Sequence, residues 1–292
     1  MAEKDILEKI LMSHADVFAD CVNALVYGGR HRLKAGDLCP APTESFYRGG
    51  RRMHNQFCDV SFWLVEDGRI VLQYIIGNET RLRKRQILRK ASYQGGIYRS
   101  QLEGKEEVYP VIGTVLDWTG KRSRIPLSLR GLLAQGGASR EDLELVDEMK
   151  LTVWHMRNLS PEVRSRFVSD LGFVVDYLNE GNFEGRKGQR ILHGEALCEM
   201  MEALTGDTRF TALIEKLQSR QEKGEEIVMC EYIDMLEARG EERGEERGMI
   251  KGENRLAALL TKLYALGRDE DARLALDDRQ IRLRLYEELC IG

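Results

Sequence analysis

The residues best suited to chemistry gather around one stretch, IIGNETRLRKRQILRK, residues 75–90. Ile75, Ile76 and Gly77 read as the last rungs of a buried strand, and a carboxylate, Glu79, follows at once. Six basic residues then fall within ten positions: Arg81, Arg83, Lys84, Arg85, Arg89 and Lys90. A second carboxylate, Asp59, opens an apolar run upstream. Two carboxylates at neighbouring strand ends can hold Mg²⁺ (or Mn²⁺), because such ions take oxygen ligands and Mg²⁺ keeps several waters. The metal polarises a phosphoryl oxygen and activates a water, while an adjacent cation such as Arg81 stabilises the charge that develops. On spacing alone, most D…E-x-R/K patterns are surface charges.

Other metal chemistry is hard to build from this chain. Its six cysteines are scattered without a C-x-x-C pair, which favours reduced thiols packed as small apolar groups. The five histidines show no ligand spacing such as H-E-x-x-H. Any metal must be held by oxygen.

Several elements would have to position these groups. Residues 4–27 have apolar positions at near-helical spacing (Ile6, Ile10, Val17, Cys21, Leu25), stopped by Gly28-Gly29. Asp16, Asp20, Asn23 and Tyr27 share one stripe of that helix, which reads as a solvent face. FCDVSFWLVEDGRIVLQYIIG is a hairpin about Glu66-Asp67-Gly68. A three-residue loop puts Val60, Phe62 and Leu64 on one face with Ile70, Leu72, Tyr74 and Ile76. Asp59 and Glu79 fall on the other, joined by Arg81 if the strand continues; a two-residue loop reverses the alternation. A helix over 82–102 and a strand over 108–119 follow.

From Ser139 onward the pattern is helical, with Ser139 and Ser160-Pro161 as caps and Gly181 and Gly206 as helix ends. RGEERGEERGMIKG sets Gly240, Gly244, Gly248 and Gly252 four apart; at about 1 kcal/mol per glycine it reads as a weak helix or hinge, a linker above all. Leu256, Leu259, Leu260, Leu263 and Leu266 form an apolar stripe for a last helix, 280–289, to cover.

The chain has 292 residues, 42% hydrophobic and 32% charged, enough for one larger domain and an accessory region. The expected division is a core at 1–135, a helical region at 136–222, and a charged, glycine-punctuated helix with C-terminal helices at 223–292. Charge is uneven: residues 1–135 carry 21 Lys and Arg against 15 Asp and Glu, and residues 136–292 carry 23 against 33. A basic N-terminal half can track a polyanion. No apolar run reaches the roughly 20 residues that span a bilayer. The acidic, amphipathic start lacks the form of a signal peptide, so a cytoplasmic protein is expected.

The segments ADVFADCVNALVYGG, CDVSFWLVEDG, YIIGNET, VIGTVLDWTG, RFVSDLGFVVDYL and ALTGDTRF, in this order, resemble the Rpn family of recombination-promoting nucleases, also described as transposases, within the PD-(D/E)XK superfamily. The resemblance runs from about Ala15 to Lys251 and includes ARGEERGEERGMIKGE as a family-like C-terminal helix. It implies an α/β, restriction-endonuclease-like core with a mixed sheet, followed by an all-α C-terminal region. It further implies a Mg²⁺- or Mn²⁺-dependent DNA endonuclease of recombination or mobile elements, with Asp59 and Glu79 as metal-binding strand acids and Asp20 as a third, helical acid. Arg81 stands where glutamine is common in the family and lysine in the superfamily. Arginine stays protonated, so it can stabilise charge but cannot accept a proton from water.

DNA is the expected partner, with Arg83, Lys84, Arg85, Arg89 and Lys90 on phosphates and weak sequence preference. Two other readings remain: a catalytically degenerate nuclease fold that binds nucleic acid, suggested by Arg81, and a helical interaction protein whose C-terminal half docks partners or self-associates.

Overall fold

A computed structural model describes residues 10–49, 52–103, 107–121, 124–223, 225 and 227–291. Along the chain these form α1 (Ala15–Leu25), β1 (Leu38–Pro40), β2 (Glu44–Gly49), β3 (Arg52–Phe57), β4 (Val60–Glu66), β5 (Arg69–Glu79), α2 (Gln86–Glu103) and β6 (Val111–Asp117). Then come α3 (Leu129–Ala134), α4 (Arg140–Glu144), β7 (Val153–His155), α5 (Pro161–Arg164), α6 (Leu171–Glu180), β8 (Arg190–Ile191), α7 (Gly194–Thr205), α8 (Ile214–Glu222) and β9 (Ile227–Val228). The chain ends in α9 (Met229–Ala265), α10 (Asp269–Asp277) and α11 (Arg279–Glu288).

The main sheet has five strands in the order β1-β4-β5-β6-β7. The β1–β4 and β4–β5 pairs are antiparallel, and β5–β6 and β6–β7 are parallel. This is a mixed α/β sheet. Strand β7 corrects the all-helical expectation after Ser139: three residues are too few to show an alternating pattern, and pairing with β6 makes the strand. The expected caps are present at Ser139 and Ser160, whose hydroxyls accept from Asp142 N and Val163 N. Gly181 and Gly206 end α6 and α7 in the left-handed conformation.

The hairpin reaches its expected facing by two offsetting departures. Its loop has two residues, Asp67 and Gly68, both at positive φ (50° and 76°), as a type I′ turn requires. That alone would reverse the alternation. A bulge then shifts the register between Leu64 and Val65, skipping Val71, and restores it. Val60, Phe62 and Leu64 therefore pair with Ile76, Tyr74 and Leu72, each two residues along from the partner that a three-residue loop would give, and Ile70 pairs with Val65.

Helix α1 packs on that face, with the Phe18 ring 4.5 Å from Phe62 and 6.4 Å from Tyr74. Burying Phe18 completely stabilises this layer by about 1.5–3 kcal/mol. Side chains alternate along a strand, so Ile75 turns to the opposite face, where it meets Val111, Tyr93 and Ile97. There α2 covers the sheet.

The polar stripe of α1 is not a solvent face. Asp20 and Asn23 are buried. The Asn23 side chain bonds the backbone of Arg32 and Leu33, Tyr27 meets Tyr74 hydroxyl to hydroxyl, and Asp16 meets His193. A polar stripe is buried where every member finds a partner; the partners here lie 9 to 177 residues away in sequence. The expected start of this helix at Lys4 lies outside the described residues.

The described chain divides into two units between Tyr232 and Ile233, within α9. The glycine-punctuated stretch expected as a linker is continuous helix throughout α9. In the second unit Leu259 and Leu263 pack with Ala272, Ala275, Leu285 and Tyr286, as the leucine stripe predicts, while Leu266 is exposed. Among the described residues no helix is long and apolar enough to cross a membrane.

Candidate active site

Strand β5 delivers Glu79 to the carboxyl edge of the sheet and ends there. Asp59, just before β4, faces the same way, and its Oδ2 accepts from Asn78 N at 2.7 Å. Gly77 lies between them: a Cβ built there would sit 4.0 Å from Asp59 Oδ2. The structure thus brings the two expected strand acids into one pocket.

Residues of α2 close that pocket. Gln86 Nε2 donates to Glu79 Oε1 at 2.6 Å, and Arg89 Nη1 donates to the same oxygen at 2.7 Å. Arg89 is fixed in turn by donating to the Tyr93 hydroxyl. Burial raises the Glu79 pKa above the usual carboxylate value, against the pull of Arg89 and Gln86, and Asp59 adds to the rise. Burial opposes the charge on Arg89, but Glu79, Tyr93 and Asp59 outweigh it and its pKa rises. Lys90 also borders the pocket; burial lowers its pKa, and its Nζ donates to Lys150 O.

The expected DNA-binding set therefore divides. Arg83, Lys84 and Arg85 are exposed in the turn before α2, while Arg89 and Lys90 turn inward to the pocket. Arg81 is exposed and outside the pocket, because β5 ends at Glu79 and the chain bends at Thr80–Arg81. The alternation that would have aligned Arg81 with Glu79 stops one step short. Asp20 is likewise not among the pocket residues: its carboxylate accepts from Val168 N, Ser169 N and Ser169 Oγ, and ties α1 to the chain before α6.

Sequence spacing missed Gln86, the residue that most clearly marks a ligand site. It is 3% exposed, yet its Oε1 has no hydrogen-bond partner among the described residues. A buried acceptor left unpaired costs about 1–3 kcal/mol, so it calls for a water or a cation. The pocket admits a water's centre over about 20 Å³, room for one such particle. Asp59, Glu79 and Gln86 thus fit a hard cation. Among the described residues no group of three or more His, Cys, Asp or Glu is placed to hold a metal. A cation here would take its remaining ligands from water and phosphate, as Mg²⁺ commonly does.

No family model, curated protein or solved structure matches this chain.

Proposed function

We propose that this protein is a Mg²⁺- or Mn²⁺-dependent DNA endonuclease with a restriction-endonuclease-like core, low sequence specificity and a role in recombination or mobile elements. The observation that carries this reading is the pairing of Asp59 and Glu79 with the orphaned Gln86 oxygen around an ion-sized space. A bound metal supplies charge stabilisation on the phosphoryl oxygen and an activated water. Arg83, Lys84 and Arg85 support it: cations ahead of a helix N-terminus oppose the helix dipole, at about 0.3–1 kcal/mol each. Both the dipole and these side chains attract phosphate. Such contacts position a strand without reading its bases.

The test is nicking of supercoiled plasmid by the full chain with Mg²⁺, with Mn²⁺ and with EDTA. Metal-dependent nicking is expected, and its absence with both metals overturns the reading. One observation favours a second reading, a catalytically degenerate fold that binds nucleic acid: Arg89 occupies Glu79 Oε1. Salt-sensitive DNA binding without cleavage would establish that alternative.

A further inference from the structure

A water attacking phosphorus must lose a proton, and neither Glu79 nor Lys90 in the pocket is well placed to accept it. Glu79 Oε1 already receives two donors, and Lys90 Nζ donates to Lys150 O. Arg81 points elsewhere and cannot accept a proton. A better acceptor lies along the sheet edge.

Glu79, Asp117 and His155 are the last residues of β5, β6 and β7, three adjacent parallel strands, and they stand in register. Register partners point to the same face about 4.8 Å apart, so the Cα of His155 lies roughly 10 Å from that of Glu79. This is the edge at which open α/β sheets bind ligands. Asp117 is 1% exposed, its Oδ2 lies 2.6 Å from His155 Nδ1, and its Oδ1 accepts from Thr119 N. A carboxylate there places the imidazole proton on Nδ1 and leaves the Nε2 lone pair available. The ring itself is 38% exposed. Asp117 is the charged group facing it from β6; Arg157 is turned onto Trp118 O and Leu204 O.

We propose that His155, oriented by Asp117, is the general base of phosphodiester hydrolysis, with the nucleic-acid strand lying across the strand ends between His155 and Glu79. The inference rests on the nuclease reading above. Nε2 takes one proton from water as the water oxygen's lone pair forms the new P–O bond. The bond to the departing sugar oxygen breaks, its electron pair leaving with that oxygen. The proton then passes from Nε2 through solvent to the departing alkoxide, which leaves a phosphomonoester, an alcohol and neutral His155. Asp117 is a positioning residue.

The test is plasmid nicking by the full chain with Mg²⁺ or Mn²⁺ from pH 5 to 9. His155→Gln is expected to lower the rate by about 100-fold or more at neutral pH, the range of general-base catalysis. It should also abolish the acid limb of the pH–rate profile and leave DNA affinity unchanged. Added imidazole should raise the rate of His155→Ala. A wild type that cuts, with His155→Gln equal in rate and profile, overturns the role of His155 and leaves the nuclease reading standing. So does a wild type that cuts without an acid limb, whether or not the variants fold. A wild type inert with both metals at every pH overturns both proposals.

Discussion

Two carboxylates shielded from water, Asp20 on α1 and Glu79 at the end of β5, live under opposite terms. Asp20 accepts from two backbone N–H groups and one hydroxyl, all from Val168 and Ser169. Glu79 has two donors crowded on one oxygen, and burial still raises its pKa. The first acid is satisfied by the fold and ties two distant segments together. The second is left short of what its charge needs, next to a glutamine oxygen with no partner. A fold stores such a deficit where a ligand is meant to supply the difference.

The largest effect expected from this contrast is at Glu79. Glu79→Gln should lower nicking by about 10³-fold or more, through loss of the site's charge. Its melting temperature should equal or exceed wild type. The sign follows from the raised pKa: stability from this group is present below its unfolded value of 4.5 and is lost as pH rises through the folded value. At neutral pH the charge is therefore a cost, which glutamine removes. A variant that melts well below wild type would make Glu79 a tether like Asp20.

Next in size is Asp20→Ala. It strands buried N–H groups and should cost roughly 3 kcal/mol in urea unfolding, while nicking well below the melting temperature stays within about twofold. Lost nicking without lost stability would instead move Asp20 into the catalytic set, the role implied by the family resemblance.

What is legible in the sequence follows the same division. The hairpin, α2 and the caps at Ser139 and Ser160 are readable because each depends on local chemistry and short periods, whereas the Asp59–Glu79 facing comes out as expected only because a bulge offsets the two-residue loop. The bulge skipping Val71 is not readable, since no residue type announces it. The α1 stripe reads wrongly as solvent-facing because Asp20 and Asp16 find partners near residues 168 and 193, pairings that only the tertiary fold creates. Strand β7 is hidden for the same reason, and with it the alignment of Asp117 and His155. Gln86 carries no charge and belongs to no motif, so only its burial and its empty acceptor mark it.

The exposed cations give a smaller, graded test. Replacing Arg83, Lys84 and Arg85 together with alanine should weaken binding to all DNA sequences alike. It should flatten the dependence of affinity on salt by about 0.9 of a slope unit for each phosphate no longer neutralised. An unchanged slope would leave the strand-end region with no DNA-facing side here.

Near α1, acid should act on His14, whose ring stacks on His193 at 3.7 Å. Burial lowers the His14 pKa, His193 lowers it further, and Asp16 opposes them. Its stability contribution is therefore complete above the unfolded value of 6.5 and is lost as pH falls below it. Buried Asp170, whose pKa is raised mainly by burial, acts in the opposite sense at lower pH. Melting temperature should fall between pH 7 and 5, and less so in His14→Gln; equal falls would remove His14 from the account.

The smallest effect is expected at Arg81, where the chain leaves one region for solvent. Two residues after Glu79 would be the same face if β5 continued, and a cation there would meet the scissile phosphate. The strand instead ends at Glu79, Leu82 turns into the core beside Ile87 and Val115, and the Arg81 side chain is exposed. Arg89, reaching in from α2, is the cation that pairs with Glu79 instead. Arg81→Ala should then change the nicking rate by less than about twofold and the salt slope by no more than about one unit. Arg81→Lys should be indistinguishable from wild type, because an exposed cation keeps its charge in either form. A tenfold loss in the alanine variant, restored by lysine, would mean that Arg81 swings onto bound substrate. Loss in both variants would point to a bidentate guanidinium clamp on phosphate, which lysine cannot make.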